Sequence, residues 1–142
     1  MGRAETFEHT ADLGLRVFGT DLPDLFEAAG VGLFEIIVAN LDQVRPTVAQ
    51  EVVLQAETLP DLFLAWLNEL IFRSETGHSL YGRFRVQVEQ VAGSTGLRAT
   101  IEGEPIDRDR HILDHEVKAA THHGVSIEPV DEGWRAEVIL DI

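Results

Sequence analysis

A chain of 142 residues, 44% of them hydrophobic, can bury a sizeable core and fits one domain spanning 1–142. Acids outnumber lysine and arginine by 25 to 11, and the formal net charge of -14 opposes direct binding of nucleic acid phosphates while favouring basic partners or cations. The chain has no cysteine, which excludes a disulfide scaffold and thiolate zinc sites and fits a reducing compartment.

No apolar h-region follows Met1, so no secretory signal is predicted. Met1-Gly2 has only Thr6 to support it as a myristoylation start, and an ordinary N-terminus is the plainer reading. No uninterrupted apolar run reaches ~18 residues, so no membrane span is predicted and a soluble cytoplasmic protein is expected.

The turn-like Thr10-Ala11-Asp12 precedes a short strand from about Gly14 to Gly19, carried by Leu15, Val17 and Phe18. Asp21 then caps a helix, with Pro23 in its first turn. Leu22, Leu25, Phe26, Ala29, Leu33, Ile36 and Ile37 recur at helical spacing and give it one buried face. Arg45-Pro46-Thr47 breaks the chain before a strand over Val48 to Ala56. Thr58 caps a second helix, striped by Leu62, Trp66 and Leu70 and running to about Arg73. Both helices open with Leu-Pro-Asp-Leu-Phe, at 22–26 and 59–63, which convergent N-terminal chemistry explains more simply than duplication.

After Gly77 the period changes to two. Arg83 to Val91 alternates, Gly93-Ser94-Thr95-Gly96 reads as a hairpin loop, and Leu97 to Gly103 pairs back. Val117, Ala119, Thr121, His123, Val125 and Ile127 share one face of a long strand, with His123 expected in the core and Lys118 and His122 on the other face. Asp131-Glu132-Gly133 turns the chain into a last strand, Trp134 to Leu140. The fold class is therefore α+β, with mostly antiparallel or mixed pairing and two main helices in the N-terminal half.

Three stretches carry chemistry. His9-Thr10-Ala11-Asp12 reads most simply as an Asx turn. Glu102 to His115 is dense in possible ligands. It lacks the glycine and distal glutamate of a calcium loop, and His111 and His115 lack the H-E-x-x-H glutamate, so a solvated loop is expected. The third is Glu116-Val117-Lys118-Ala119 with His122-His123-Gly124. No nucleophile elbow, P-loop or dinucleotide fingerprint is present, and Ser74, Ser79, Ser94 and Ser126 lack motif context.

Taken in order, FEHTADLGLRVFG (7–19), LPDLFEAAGVGLFEII (22–37), LPDLFLAWLNELIF (59–72), GEPID (103–107), EVKAATHHG (116–124) and RAEVILDI (135–142) resemble the archease family over essentially the whole chain. His122 departs from the pattern, which more often has an aromatic residue before His-Gly. The resemblance implies a small cytoplasmic protein cofactor of RNA splicing rather than an enzyme. It would assist the RtcB-type RNA ligase, which joins tRNA halves and repairs RNA, by promoting GTP-dependent guanylylation of the ligase and repeated turnover. It would meet tRNA only through the ligase.

The resemblance also implies a divalent cation, described as calcium, held by Asp12, Asp141 and the α-carboxylate of Ile142, and it matches the family's functional lysine to Lys118. Asp12, Asp141 and Lys118 would serve ligase activation, with His9 and His122 as weaker candidates. Adjacent carboxylates at the end of a strand repel one another, and a hard divalent ion that takes oxygen ligands would compensate them. Two other readings use the same residues. One is a stand-alone metal-dependent hydrolase built on Asp12, Asp141 and His9 or His122. The other is a chaperone-like binding module.

The charge generates a first prediction. A filter-binding assay with bare tRNA should show weak or no retention, and tight, salt-sensitive binding would contradict it.

Overall fold

Each helix starts where a short side-chain oxygen precedes a proline. The Asp24 N–H donates to Asp21 Oδ1 at 2.8 Å and opens α1 (Leu22–Ile37). The Asp61 N–H donates to Thr58 Oγ1 at 3.2 Å and opens α2 (Leu59–Gly77). These bonds satisfy amides that have no partner inside the helix. The computed structural model describes residues 2–9 and 12–142, with Glu8 and His9 described by their backbone only.

Among the described residues seven strands surround the helices: β1 (Arg3–His9), β2 (Asp12–Gly19), β3 (Val48–Ala56), β4 (Ser79–Val91), β5 (Ser94–Pro105), β6 (Ala119–Val130) and β7 (Gly133–Asp141). They form two antiparallel sheets, one of order β1-β2-β7-β6 and one of order β3-β5-β4. α1 packs against β2 and β4, and α2 against β6 and β3, so the helices lie between the sheets and bridge them. Phe26, Phe34, Phe63, Trp66 and Tyr81 are the bulkiest buried side chains. The indole of Trp66 donates to the Phe26 carbonyl at 2.9 Å and ties the two helices together. Glu27 of α1 accepts the Val86 N–H of β4 at 2.9 Å. No helix among the described residues is long and apolar enough to cross a membrane.

The α+β expectation holds, with both helices, β3 and the last strand near their expected limits. β1 is an addition. The residues before the HTAD motif pair with β2, so the expected Asx turn falls at a hairpin, and Thr10 and Ala11 lie outside the described residues. The β4–β5 hairpin is tighter than expected, with Val91 already paired to Ser94 and Gly93 at φ 79 in the turn.

Two expectations are corrected. His123 is not in the core. The β6–β7 register shifts between Thr121 and Ser126, so His122, His123 and Gly124 bulge outward and are exposed, with Gly124 at φ 74. A bulge with an odd number of extra residues swaps the faces of a strand. The inward residues are accordingly Ala120 before the bulge and Val125 and Ile127 after it.

The second correction concerns Glu102 to His115, which is not simply a solvated loop. Glu104 and His111 are buried, 6% and 3% exposed. Glu104 accepts the Arg45 N–H at 2.7 Å, meets His111 Nε2 at 2.9 Å and pairs with Arg110. His111 Nδ1 accepts the Asp107 N–H at 2.9 Å, so its ring proton sits on Nε2 and is donated to Glu104. The following residues then cap α1 from outside, with the Asp114 and His115 amides donating to the Ile37 and Ile36 carbonyls at 2.8 and 3.1 Å. Two buried groups and a helix end thus set the path of the chain into β6.

Burial alone would raise the Glu104 carboxyl, but the Arg45 amide, His111 and Arg110 outweigh it and hold it at about 2, below the ordinary 4.5. A depressed carboxyl stabilises the fold above its unfolded value, and that contribution fades as pH falls from 4.5 towards 2. Glu104→Gln should therefore lower stability near neutral pH by roughly 3 kcal/mol, as breaking a buried pair does. Urea denaturation as a function of pH checks this. The gap to the parent protein should narrow through that acid window, and a gap independent of pH would contradict the assignment.

Candidate functional site

The candidate residues gather at one end of the four-stranded sheet. The β2–β7 register pairs Leu13 with Leu140, Leu15 with Val138 and Val17 with Ala136, and these residues face the core. Strand side chains alternate, so Gly14, Arg16 and Phe18 of β2 and Ile139, Glu137 and Arg135 of β7 occupy the opposite, outer face. Asp12 and Asp141 are the next residues on that face, one step beyond the Leu13–Leu140 pair. Both are half-buried. The β1 register adds His9 opposite Asp12, its side chain lying outside the described set.

Reading the outer face in rows isolates this end. In one row Arg16 bonds Glu137 at 2.5 Å and Glu5 at 3.0 Å, so both acids are neutralised. In the next, Phe7 lies over Gly14, where a Cβ would come within 2.3 Å of the ring, and the Arg16 guanidinium sits 4.7 Å from that ring's centroid. The last row holds Asp12 and Asp141, and neither has an ion-pair partner among the described residues. Like charges directly opposite across an antiparallel pair are destabilising.

β6 brings the lysine to the same end. Ala119 pairs with Asp141, and the Lys118 N–H donates to the Asp141 carbonyl at 2.7 Å. The Lys118 side chain is exposed, and it forms no ion pair among the described residues. Ile142 is half-buried against the core. The structure thus draws together the backbones of His9, Asp12, Lys118, Asp141 and Ile142. His122 lies apart, exposed in the bulge beyond the Thr121–Ile139 pair.

Sequence reasoning missed Asn68. Its side-chain amide donates to the Ala120 carbonyl at 3.1 Å and accepts the Ala120 N–H at 2.8 Å. The available signal was a lone amide beside the apolar stripe of α2. A cavity of about 670 Å³ involves Arg3, Glu27, Arg83 and Arg85 and none of the corner residues. A second, of about 370 Å³, is lined by His78, Arg108, His115 and Val117, one residue before Lys118.

Residues 5–142 match the family described as Archease protein family (MTH1598/TM1083). The chain belongs to the archease family. It is 36% identical to the protein archease of Pyrococcus furiosus, with 100% of both chains covered. It is also 36% identical to that of Methanopyrus kandleri, covering 97% of this chain and 98% of the relative. The solution structure of Methanobacterium thermoautotrophicum protein 1598 superposes with a TM-score of 0.86 at 33% identity, covering 98% of each chain. A Thermotoga maritima crystal structure, described as an archease and possible chaperone, shares the fold with a TM-score of 0.61 at 19% identity, covering 97% of this chain and 96% of that one.

The donors at the archease corner are carboxylate oxygens, the chemistry of a hard cation rather than a soft one. Among the described His, Asp and Glu side chains no three form a metal cluster. A cation here would need the Ile142 carboxylate or other oxygens besides those of Asp12 and Asp141. The opposed carboxylates fit such a group because no ion pair among the described residues compensates them.

That repulsion is measurable without a metal. In chelator at low ionic strength, Asp141→Asn should be as stable as the parent protein or more so, by about 0.2–1 kcal/mol. Added salt should shrink the difference. Thermal melts check both, and a variant that melts lower and is insensitive to salt would mean the two acids do not oppose each other.

Proposed function

We propose that this archease is a protein cofactor of an RtcB-type RNA ligase in tRNA splicing and RNA repair. In this reading it promotes GTP-dependent guanylylation of the ligase and sustains multiple turnover. It binds a divalent cation, calcium, through Asp12, Asp141 and the α-carboxylate of Ile142, and it presents Lys118 beside them. Family membership over nearly the whole chain supports the reading. The observation that carries it is the end row itself, two opposed carboxylates without an ion-pair partner among the described residues, joined through the backbone to Lys118.

Division of labour follows from the chemistry. A bound cation would neutralise the two aspartates, with its remaining coordination positions open to water or to a partner's groups. A charged lysine has three donors and no lone pair, so Lys118 serves the partner rather than the metal. The net charge of -14 suits a partner with a basic surface and leaves contact with tRNA to the ligase. The cavities of about 670, 470 and 370 Å³ all lie off the carboxylate row, which disfavours a stand-alone hydrolase acting at Asp12 and Asp141. The Thermotoga protein is described as a possible chaperone, and a chaperone-like binding module would need neither aspartate nor Lys118.

Ligase turnover with GTP and cleaved tRNA halves, with and without the protein, decides between these readings. Stimulation is expected, with Lys118→Ala lowering it by about tenfold, or ~1.4 kcal/mol, while the calcium-induced rise in melting temperature persists. A C-terminal extension or Asp141→Ala should weaken both effects. Ligase turnover unchanged by the parent protein would overturn the reading. Stimulation that survives all three changes would favour the binding module.

A further inference from the structure

β6 is an edge strand, bonded to β7 on one side. In an antiparallel ladder every second residue of an edge strand turns its N–H and C=O away from the neighbouring strand. Ala120 is such a residue, and both of its outward groups are taken by one side chain, Asn68 of α2. A side-chain amide carries a donor and an acceptor in the same plane as a peptide group, so asparagine can stand in for one residue of a missing strand. The anchor lies two residues from Lys118, and Ala119, between them, is paired with Asp141. On the far side the strand leaves its register at Thr121.

The segment 118–121 is therefore a short piece of strand with a bulge on one side and an irregular connection on the other. Its grip on β7 spans three pairs, Ala119–Asp141, Ala120–Leu140 and Thr121–Ile139. The carboxylates do not depend on it in the same way. Asp12 and Asp141 are placed by β2 on β7, a ladder of seven pairs that involves neither β6 nor Asn68. The acids are thus held by the β2–β7 ladder, and the lysine segment by its short pairing with β7, the Lys118 N–H to the Asp141 carbonyl included, together with Asn68.

We propose that Asn68 is a positioning residue for Lys118, clamping Ala120 so that the lysine is held in register with Asp141. The inference rests on the ligase-activation reading and deepens it by separating the lysine's support from the cation's. Loss of Asn68 should resemble loss of Lys118 and not loss of Asp141. A side chain that merely docks α2 on the sheet would lower stability generally and would show no special relation to Lys118.

The experiment compares Asn68→Leu, Lys118→Ala and the double variant in ligase turnover, with calcium affinity and thermal melts measured on each. Asn68→Leu conserves bulk but removes both hydrogen bonds. If it lacks a cooperative melt, Asn68→Asp replaces it, because it retains the acceptor for the Ala120 N–H and exchanges the donor for a charged oxygen. Stimulation should fall by about tenfold or more, as a small misplacement of an acting group does. Calcium affinity should stay within about twofold of the parent protein, as for an independent site. The double variant should be no worse than Lys118→Ala, and the Ala120 amide should exchange faster with solvent. Parent-level stimulation by the Asn68 variant, or losses that add in the double variant, would overturn the proposal. If the parent protein itself does not stimulate the ligase, the functional reading fails first, and that result is distinct from either of these.

Discussion

The register of β2 against β7 is the constraint on which the candidate site depends. Three inward rows, Leu13 with Leu140, Leu15 with Val138 and Val17 with Ala136, fix it through burial. A slip of one residue would turn every side chain of β7 to the opposite face, exposing Leu140 and pushing Asp141 towards the core. The apolar face therefore determines which charges meet on the other. Continued one step beyond Leu13–Leu140, the register sets Asp12 opposite Asp141, so their juxtaposition is a by-product of core packing.

Along the outer face the electrostatics change from one row to the next. Arg16 gathers Glu5 and Glu137, and at the far end Arg3 stacks on Phe18 at 4.0 Å. Arginine serves both roles because its planar fork bonds carboxylates and lies flat on rings. No arginine of this face reaches the last row. Among the described residues the paired acids Glu5, Glu137 and Glu128 lie away from that end, so the field is asymmetric and a positively charged group from outside is favoured there.

Much of this was legible in the sequence, and the failures have physical causes. Asp21-Leu22-Pro23 and Thr58-Leu59-Pro60 announced the helix starts because capping is local chemistry. β1 escaped notice because RAETFEH has little apolar alternation, and β2 supplies its hydrogen bonds. His123 was assigned to the core because the period of two was carried through Thr121, and nothing in the residue types before Gly124 announces a bulge. The Glu104–His111 pair looked like loop chemistry because burial of two polar residues shows only when their partners are assembled. Asp12 and Asp141 were named through a family resemblance. Residue chemistry alone left Asp12 as an Asx turn, and only the register brings it opposite Asp141.

Two open sheets have four edge strands, and unprotected edges invite pairing with a second molecule. On β4, the longest strand, the Glu27 carboxylate occupies the Val86 N–H, so an incoming chain meets a charged acceptor where it would need a free donor. The β6 edge is interrupted by Asn68 at Ala120, by the outward bulge at His122 and by Pro129, which has no N–H to offer. These interruptions give the protein a kinetic defence against ordered aggregation, one that high ionic strength would not remove as it would remove repulsion between acidic surfaces.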